Sequence, residues 1–83
     1  RGSMRWEKIA SEDGFNTYRN GPCVMETEIL GHVDGDSVMP LWNARFSRDG
    51  HVGGVEVWSL STEQEMMEAC EKAARAVGVL EAE

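Results

Sequence analysis

Polar and apolar residues alternate along most of the chain between residues 5 and 60, and this period of two predicts a series of β-strands. Turn-forming residues at 11–14, 20–22 and 47–51 separate the apolar segments. We predict strands at 5–10, 15–19, 23–30, 38–46 and 55–60, with residues 31–37 as a loop. Pro40, which lacks a backbone N–H, favours an edge or a strand start.

The third predicted strand has the clearest alternation. It places Val24, Glu26, Glu28 and Leu30 on one side, and the residues on its other side, which we expect to face the core, are Cys23, Met25, Thr27 and Ile29. The fourth strand carries Trp42, Ala44 and Phe46 on one side and Asn43 and Arg45 on the other. In the fifth strand, Val55 and Val57 lie on one side, and Glu56, Trp58 and Leu60 lie on the other. Whichever side faces the core, the apolar pair on the other side is left exposed.

One amphipathic helix follows the last strand. A capping box can form with Ser61 and Gln64 or with Thr62 and Glu65, because either pair has the required three-residue spacing. A stripe of small and apolar side chains then recurs at three- and four-residue steps, and a glycine, Gly78, is placed to end the helix. The predicted stripe is Met66, Ala69, Cys70, Ala73 and Val77.

These elements predict an α+β fold: an antiparallel β-meander of four to five strands with one C-terminal helix packed on one face. Residues 4–83 are expected to form a single domain. Arg1, Gly2 and Ser3 precede a methionine and resemble the remnant of an expression tag, so we exclude them from the fold. Apolar runs are far shorter than the roughly 18 residues of a membrane span, and we therefore expect a soluble protein.

Composition makes this small domain strongly acidic. Eight basic and 15 acidic side chains give a formal charge of −7, which becomes −8 without Arg1. Direct binding to nucleic acid is therefore unfavourable, because phosphate contacts need clustered lysine and arginine. The two cysteines, Cys23 and Cys70, have no neighbouring metal-ligand pattern; buried free thiols are the first interpretation and a sheet-to-helix disulfide is the alternative.

Catalytic and metal-binding motifs are absent from the sequence. His32 and His51, the two histidines, both lie in or beside predicted turns, and no serine-hydrolase, zinc-protease or phosphate-loop motif occurs. Asp34-Gly35-Asp36 resembles part of a calcium loop, but the glutamate that ends such a loop is missing. We therefore predict a protein that is not an enzyme and has no cofactor or metal.

A group of acidic residues suggests a binding surface. Glu26 and Glu28 project from one side of a strand, roughly 7 Å apart, and the Asp34/Asp36 loop follows that strand. An exposed aromatic residue beside carboxylates can anchor a basic protein while the charges steer it. The predicted partner-binding residues are Glu26, Glu28, Asp34, Asp36, Glu56, Trp58 and Trp42.

These properties favour a binding protein whose partner is a basic nucleic-acid-binding protein. The specific hypothesis is a phage or mobile-element inhibitor of the anti-CRISPR kind, acting in the cytoplasm of a bacterial host. Its carboxylates would imitate DNA phosphates and block the DNA-binding surface of a nucleic-acid-targeting complex, a Cas-type subunit for example. An antitoxin or accessory regulator that binds a cognate toxin is the alternative, and a small enzyme or metal-binding domain is the third. We expect a monomer or weak dimer.

Overall fold

Five strands and one helix follow one another along the chain. The computed structural model describes residues 4–35 and 37–80, and gives the backbone alone for residues 32–34 and 37–39. The expected tag remnant, Arg1 to Ser3, lies outside the described residues. The elements are β1 (Glu7–Glu12), β2 (Phe15–Asn20), β3 (Cys23–Asp34), β4 (Ser37–Arg48), β5 (Gly54–Ser59) and α1 (Glu63–Ala76).

The strands form one antiparallel sheet in the order β1-β2-β3-β4-β5, and each strand pairs with its neighbours in the chain. Helix α1 packs on one side of this sheet, mainly against β4 and β5. The predicted α+β meander with one C-terminal helix is therefore confirmed. We call the side that carries α1 the helix face and the opposite side the open face.

The predicted loop at 31–37 is wrong. β3 continues to Asp34 and β4 begins at Ser37, and the two strands stay paired along this length. β2 pairs only as far as Glu28 on β3, and β5 only as far as Trp42 on β4. The end of the β3–β4 hairpin therefore extends beyond the other strands. β5 does not extend to Pro40, so the missing N–H of this residue costs no hydrogen bond to β5.

A tight turn at Asp13 and Gly14 joins β1 to β2. Both residues have positive φ angles, 45° and 78°, which suits a two-residue hairpin turn. A Cβ atom on Gly14 would lie 2.8 Å from Cγ2 of Ile29, so this position has little room for a side chain. β1 extends to Glu12, and the turn is therefore shorter than the predicted 11–14.

The core lies between the helix face and α1. Alternation on β3 buries Cys23, Met25 and Thr27 as predicted, whereas Ile29, the first residue of β3 beyond its pairing with β2, is 38% exposed. Trp6 packs edge-on against Phe46, with ring centroids 5.8 Å apart. The buried apolar residues are Tyr18, Cys23, Met25, Ala44, Phe46, Met66, Met67, Cys70, Ala74 and Val79.

Both ends of α1 have well-defined caps. The Thr62 hydroxyl accepts a hydrogen bond from the Glu65 N–H (3.2 Å) and the Glu65 carboxylate accepts one from the Thr62 N–H (3.3 Å), so the second predicted capping box forms. At the other end Gly78 has a φ of 85°, and the Val79 N–H donates to the Ala74 carbonyl (2.9 Å). This is the Schellman arrangement that glycine favours.

The buried stripe of α1 is rotated from the predicted one. Met66 and Cys70 are buried as expected, but Ala69 is exposed and Val77 is 63% exposed. The helix instead turns Met67, Glu71 and Ala74 inward. Burying Met67 removes more apolar surface from water than burying Ala69, which favours this rotation. Within the described ranges, no helix has the length and apolar character that crossing a membrane requires.

Candidate functional site

Four predicted binding residues meet on the open face of the sheet. Strand pairing places Glu28 beside Asn43 and Asn43 beside Trp58, in one row across β3, β4 and β5. The next row contains Glu26, Arg45 and Glu56 in the same order. Adjacent strands lie about 4.8 Å apart, so these side chains share one continuous surface.

Arg45 lies in the middle of this surface. Its Nε atom is 3.5 Å from Oε1 of Glu26, and its guanidinium donates a hydrogen bond to Oδ1 of Asn43 (3.1 Å). The guanidinium carbon is also 5.7 Å from the centre of the Phe15 ring, within reach of a cation–π interaction. The alternation of β4 predicted that Arg45 shares a side with Asn43, but the ion pair between Arg45 and Glu26 was not predicted.

Asn43 links Arg45 to Glu56. It is only 1% exposed although it faces away from the helix, and its amide donates to Oε2 of Glu56 (2.9 Å). The same amide nitrogen lies 3.3 Å from the Val57 carbonyl, to which it also donates. Because buried polar groups are costly without partners, this network orients the side chains around it. Glu26, Glu28 and Glu56 together with Arg45 carry a formal charge of −2 on this part of the open face.

Trp58 supplies exposed apolar surface beside these charges, and Leu60, just after the end of β5, is also exposed. Val55 and Val57 pair with Phe46 and Ala44 on the helix face, which turns Trp58 to the open face. Trp58 is 52% exposed and Leu60 is 48% exposed. The apolar pair that the β5 alternation left exposed is therefore this one. A half-exposed tryptophan provides a large contact area for a partner at little entropic cost.

Trp42 does not belong to this surface. It pairs with Ile29 and Ser59 on the helix face, where it packs against the core. The sequence hypothesis allowed Trp58 or Trp42 as the apolar anchor, and only Trp58 shares a face with Glu26 and Glu28. The reason is the β3–β4 register, which pairs Thr27 with Ala44 and so puts even-numbered β4 residues on the core side.

The backbone of Asp34 is far from the glutamates. Asp34 ends β3, six residues beyond Glu28, which corresponds to roughly 20 Å along an extended strand. Its side chain and all of Asp36 lie outside the described residues. The predicted Asp34/Asp36 loop therefore lies at the end of a long β3–β4 hairpin.

A second polar cluster, which sequence reasoning missed, lies on the helix face around Glu63. One oxygen of its carboxylate, Oε2, accepts three hydrogen bonds from side chains of the sheet. The donors are the amide of Asn16 (2.9 Å) and the hydroxyls of Tyr18 (2.7 Å) and Thr27 (2.7 Å). Nothing in the local sequence around Glu63 links it to β2 or β3.

These contacts change two pKa values. Burial raises the pKa of Glu63, but the hydrogen bonds from Thr27, Tyr18 and Asn16 and the charge of Lys8 outweigh it and lower the pKa below its ordinary value. Burial, together with the hydrogen bond to Glu63 and its negative charge, raises the pKa of Tyr18. Glu63 is therefore a stable anion at neutral pH and Tyr18 a stable hydrogen-bond donor.

Neither cysteine is arranged as a nucleophile. Both thiols are free and buried. Burial, with smaller effects from the charges of Glu71 and Glu56, raises the pKa of Cys70 to about 12, and burial also raises that of Cys23. A thiol with a raised pKa is protonated at neutral pH and reacts slowly. Among the side chains that the structure describes, which exclude those of 32–34 and 37–39, no group of three or more histidine, cysteine or acidic residues is placed to hold a metal ion.

Comparison of the chain with protein-family models, with curated proteins and with solved structures gives no match.

Proposed function

We propose that this chain is a non-enzymatic binding protein that engages a basic nucleic-acid-binding protein through its open face. The observation that carries the proposal is the exposed Trp58 beside Glu28 and Glu56 on an uncovered sheet. The specific form that we favour is an inhibitor of the anti-CRISPR kind, encoded by a phage or mobile element. It would act in the bacterial cytoplasm by occupying the DNA-binding surface of a Cas-type subunit.

The two kinds of side chain would contribute differently. Trp58 and Leu60 would be buried on binding, and a central aromatic anchor commonly accounts for much of the affinity of an interface. Glu28 and Glu56 would attract the basic partner and accelerate encounter, an effect that salt weakens. Both contributions are available without rearrangement, because the strands already hold the side chains on one surface.

The three carboxylates of the open face differ in how free they are to bind a partner. Glu26 is paired with Arg45, and Glu56 accepts a hydrogen bond from Asn43. Glu28 forms no side-chain hydrogen bond or ion pair with the described part of the chain, so it retains its full capacity to accept. We therefore assign the main phosphate-like role to Glu28, and expect Glu26 to contribute only when a partner displaces Arg45.

A competition experiment tests DNA mimicry directly. The protein is immobilised, incubated with nuclease-treated bacterial lysates with and without defence systems, and eluted with duplex DNA or with salt. We expect a basic nucleic-acid-binding subunit that duplex DNA displaces, because both ligands would use one groove. A small toxin that DNA does not displace would favour the antitoxin alternative, and the absence of any specific partner would contradict the proposal.

A pair of single variants tests the assigned face. Glu28→Lys and Glu68→Lys change the net charge equally, but Glu68 lies on the exposed side of α1, away from the open face. We expect Glu28→Lys to weaken binding to the recovered partner at least tenfold, and Glu68→Lys to change it less than threefold. Equal effects would show that only bulk charge matters. The double variant Glu26→Lys/Glu28→Lys should remove binding while the fold persists, as judged by circular dichroism.

Arg45→Gln should act in the opposite direction. Removing this guanidinium makes the open face more negative by one charge and frees Glu26. A basic partner should therefore bind more tightly at low salt, with the gain disappearing as salt screens the charges. Weaker binding at every salt concentration would contradict the idea that the open face imitates phosphates.

A further inference from the structure

A cleft lies beside α1, on the part of the helix face that the helix does not cover. Because α1 packs mainly on β4 and β5, it leaves a space between its own flank, the segment before β1, and β2. This space, which we call the side cleft, has a volume of about 190 Å³. Its lining includes Met4, Trp6, Tyr18, Glu63, Met67 and Glu71.

Two acidic residues give the side cleft its charge. Glu71 is a charged side chain that is only 2% exposed, and one of its oxygens accepts a hydrogen bond from the Met4 backbone N–H (2.8 Å). No ion pair joins Glu71 or Glu63 to a cation within the described part of the chain. Burying the Glu71 carboxylate without a positive partner is unfavourable, so a cation beside it would be stabilised.

The aromatic lining also favours a cation. Trp6 and Tyr18 both border the cleft, and aromatic ring faces attract ammonium and guanidinium groups. The chain already shows this chemistry, since Nζ of Lys8 lies 5.7 Å from the centre of the Tyr18 ring. The charge of Lys8 also acts on Glu63. An alkylammonium group is therefore accommodated next to these residues in the protein itself.

We propose that the side cleft binds a small organic cation, an alkylammonium or guanidinium ion of a few carbon atoms. One charged end would lie beside Glu71, the carbon chain would contact Trp6 and Met67, and a second charged end, where the molecule has one, would lie toward Glu63, which is two helical turns away. The cleft is several times larger than the roughly 30 Å³ that one water occupies, so it has room for such a molecule. Two carboxylates supply too few oxygens for a calcium ion, which takes six to eight.

This site is separate from the proposed partner surface. The side cleft opens on the helix face, whereas Glu28 and Trp58 lie on the open face of the sheet. A test of the cleft therefore does not depend on whether the chain binds a basic protein, and failure of one proposal leaves the other standing.

Nuclear magnetic resonance titration of the whole protein tests the proposal. Agmatine and putrescine are the cationic probes, 1-butanol is the uncharged control, and sodium chloride at matched ionic strength controls for screening. We expect saturable shifts of the Trp6 indole N–H and the Met67 methyl group with the amines alone. The proposal would be overturned if sodium chloride reproduced the shifts or if the shifts were centred on Trp58. The absence of any saturable shift in the millimolar range would also overturn it.

Charge-neutral variants locate the binding site. Glu71→Gln and Glu63→Gln should each weaken agmatine binding at least fivefold, whereas Glu28→Gln on the open face, which removes the same charge, should leave it unchanged. Equal weakening by all three variants would indicate bulk attraction and overturn the assignment to the cleft. If Glu71→Gln does not fold, Glu63→Gln and the titration of the unaltered protein decide the question.

Discussion

At the scale of single residues, Glu63 connects the helix to the sheet. Its carboxylate is held by donors from β2 and β3, so the first turn of α1 is attached to the half of the sheet that the rest of the helix does not cover. Hydrogen bonds to a charged acceptor are stronger than those between neutral groups. The negative charge of Glu63 is therefore part of what stabilises the docked helix.

Replacement of Glu63 by glutamine should lower stability in a pH-dependent way. At pH 7 we expect a loss of about 1–2 kcal/mol in the free energy of unfolding, because neutral hydrogen bonds replace charge-assisted ones. The folded-state pKa of Glu63 is below its ordinary value of 4.5, so its ionised form stabilises the fold above that value. This stabilisation is lost as the pH falls through the lower, folded-state pKa.

Urea denaturation of both proteins between pH 7 and pH 3 measures the effect. The difference between the unaltered protein and Glu63→Gln should shrink at the acidic end, and Glu28→Gln is the control, since Glu28 has no hydrogen-bonded partner in the described chain. A difference that stays constant with pH would contradict the assigned role of the charge.

The two thiols should be unreactive in the folded protein. Cys23 and Cys70 are 4% and 0% exposed, and burial raises the pKa of both. Labelling with Ellman's reagent at pH 8 should therefore be at least 100-fold slower than in denaturant, where both thiols react. Rapid modification of one thiol under native conditions would show that the sheet–helix interface opens readily.

At the scale of elements, the ends of α1 are specified by short-range contacts. The sequence contains two overlapping capping boxes, and the structure uses the one formed by Thr62 and Glu65. Ser61 instead lies next to Ser59, with the two hydroxyl oxygens 2.9 Å apart. The choice sets the first helical residue at Glu63, which is the position that reaches Tyr18 and Thr27.

Alanine substitutions at the two candidate caps should separate them. Thr62→Ala removes the acceptor for the Glu65 N–H, and we expect it to cost about 1 kcal/mol. Ser61→Ala leaves the capping box intact and should cost less than about 0.5 kcal/mol. Thermal or urea denaturation monitored by circular dichroism distinguishes the two, and a larger effect at Ser61 would contradict the observed cap.

At the scale of the whole molecule, one helix divides a five-stranded sheet into two unlike faces. The helix face contains the core and, at its uncovered side, the side cleft. The open face exposes a half-buried tryptophan, Trp58, beside Glu28 and Glu56. A single helix cannot bury both sides of a sheet, so this chain has apolar surface available for a partner without any unfolding.

Aromatic substitutions on the two faces should therefore have different effects. Phe46 is 1% exposed and Trp58 is 52% exposed. We expect Phe46→Ala to lower the free energy of unfolding by about 3–5 kcal/mol, because it leaves a cavity in the core. Trp58→Ala should cost about 1 kcal/mol or less while abolishing binding to the recovered partner. Comparable losses of stability would show that Trp58 is structural.

The sequence by itself determined the features that depend on neighbours in the chain. Period-two alternation identified the strands and assigned Trp58 and Glu56 to one side of β5, because successive side chains of a strand point to opposite faces. Capping chemistry and Gly78 located both ends of α1. The glutamates of the open face were predictable for the same reason, since Glu26 and Glu28 lie two residues apart on one strand.

Contacts between distant segments required the tertiary structure. The register of β3 and β4 placed Trp42 on the face opposite Glu26 and Glu28. The same pairing extended the β3–β4 hairpin through the predicted loop. Neither result follows from the local sequence, because strand pairing competes with the preference of residues such as glycine and aspartate for turns. Packing against the sheet chose Met67 over Ala69 for the buried side of α1. It also placed Glu63 among donors 36 to 47 residues away, and only the folded chain makes such contacts.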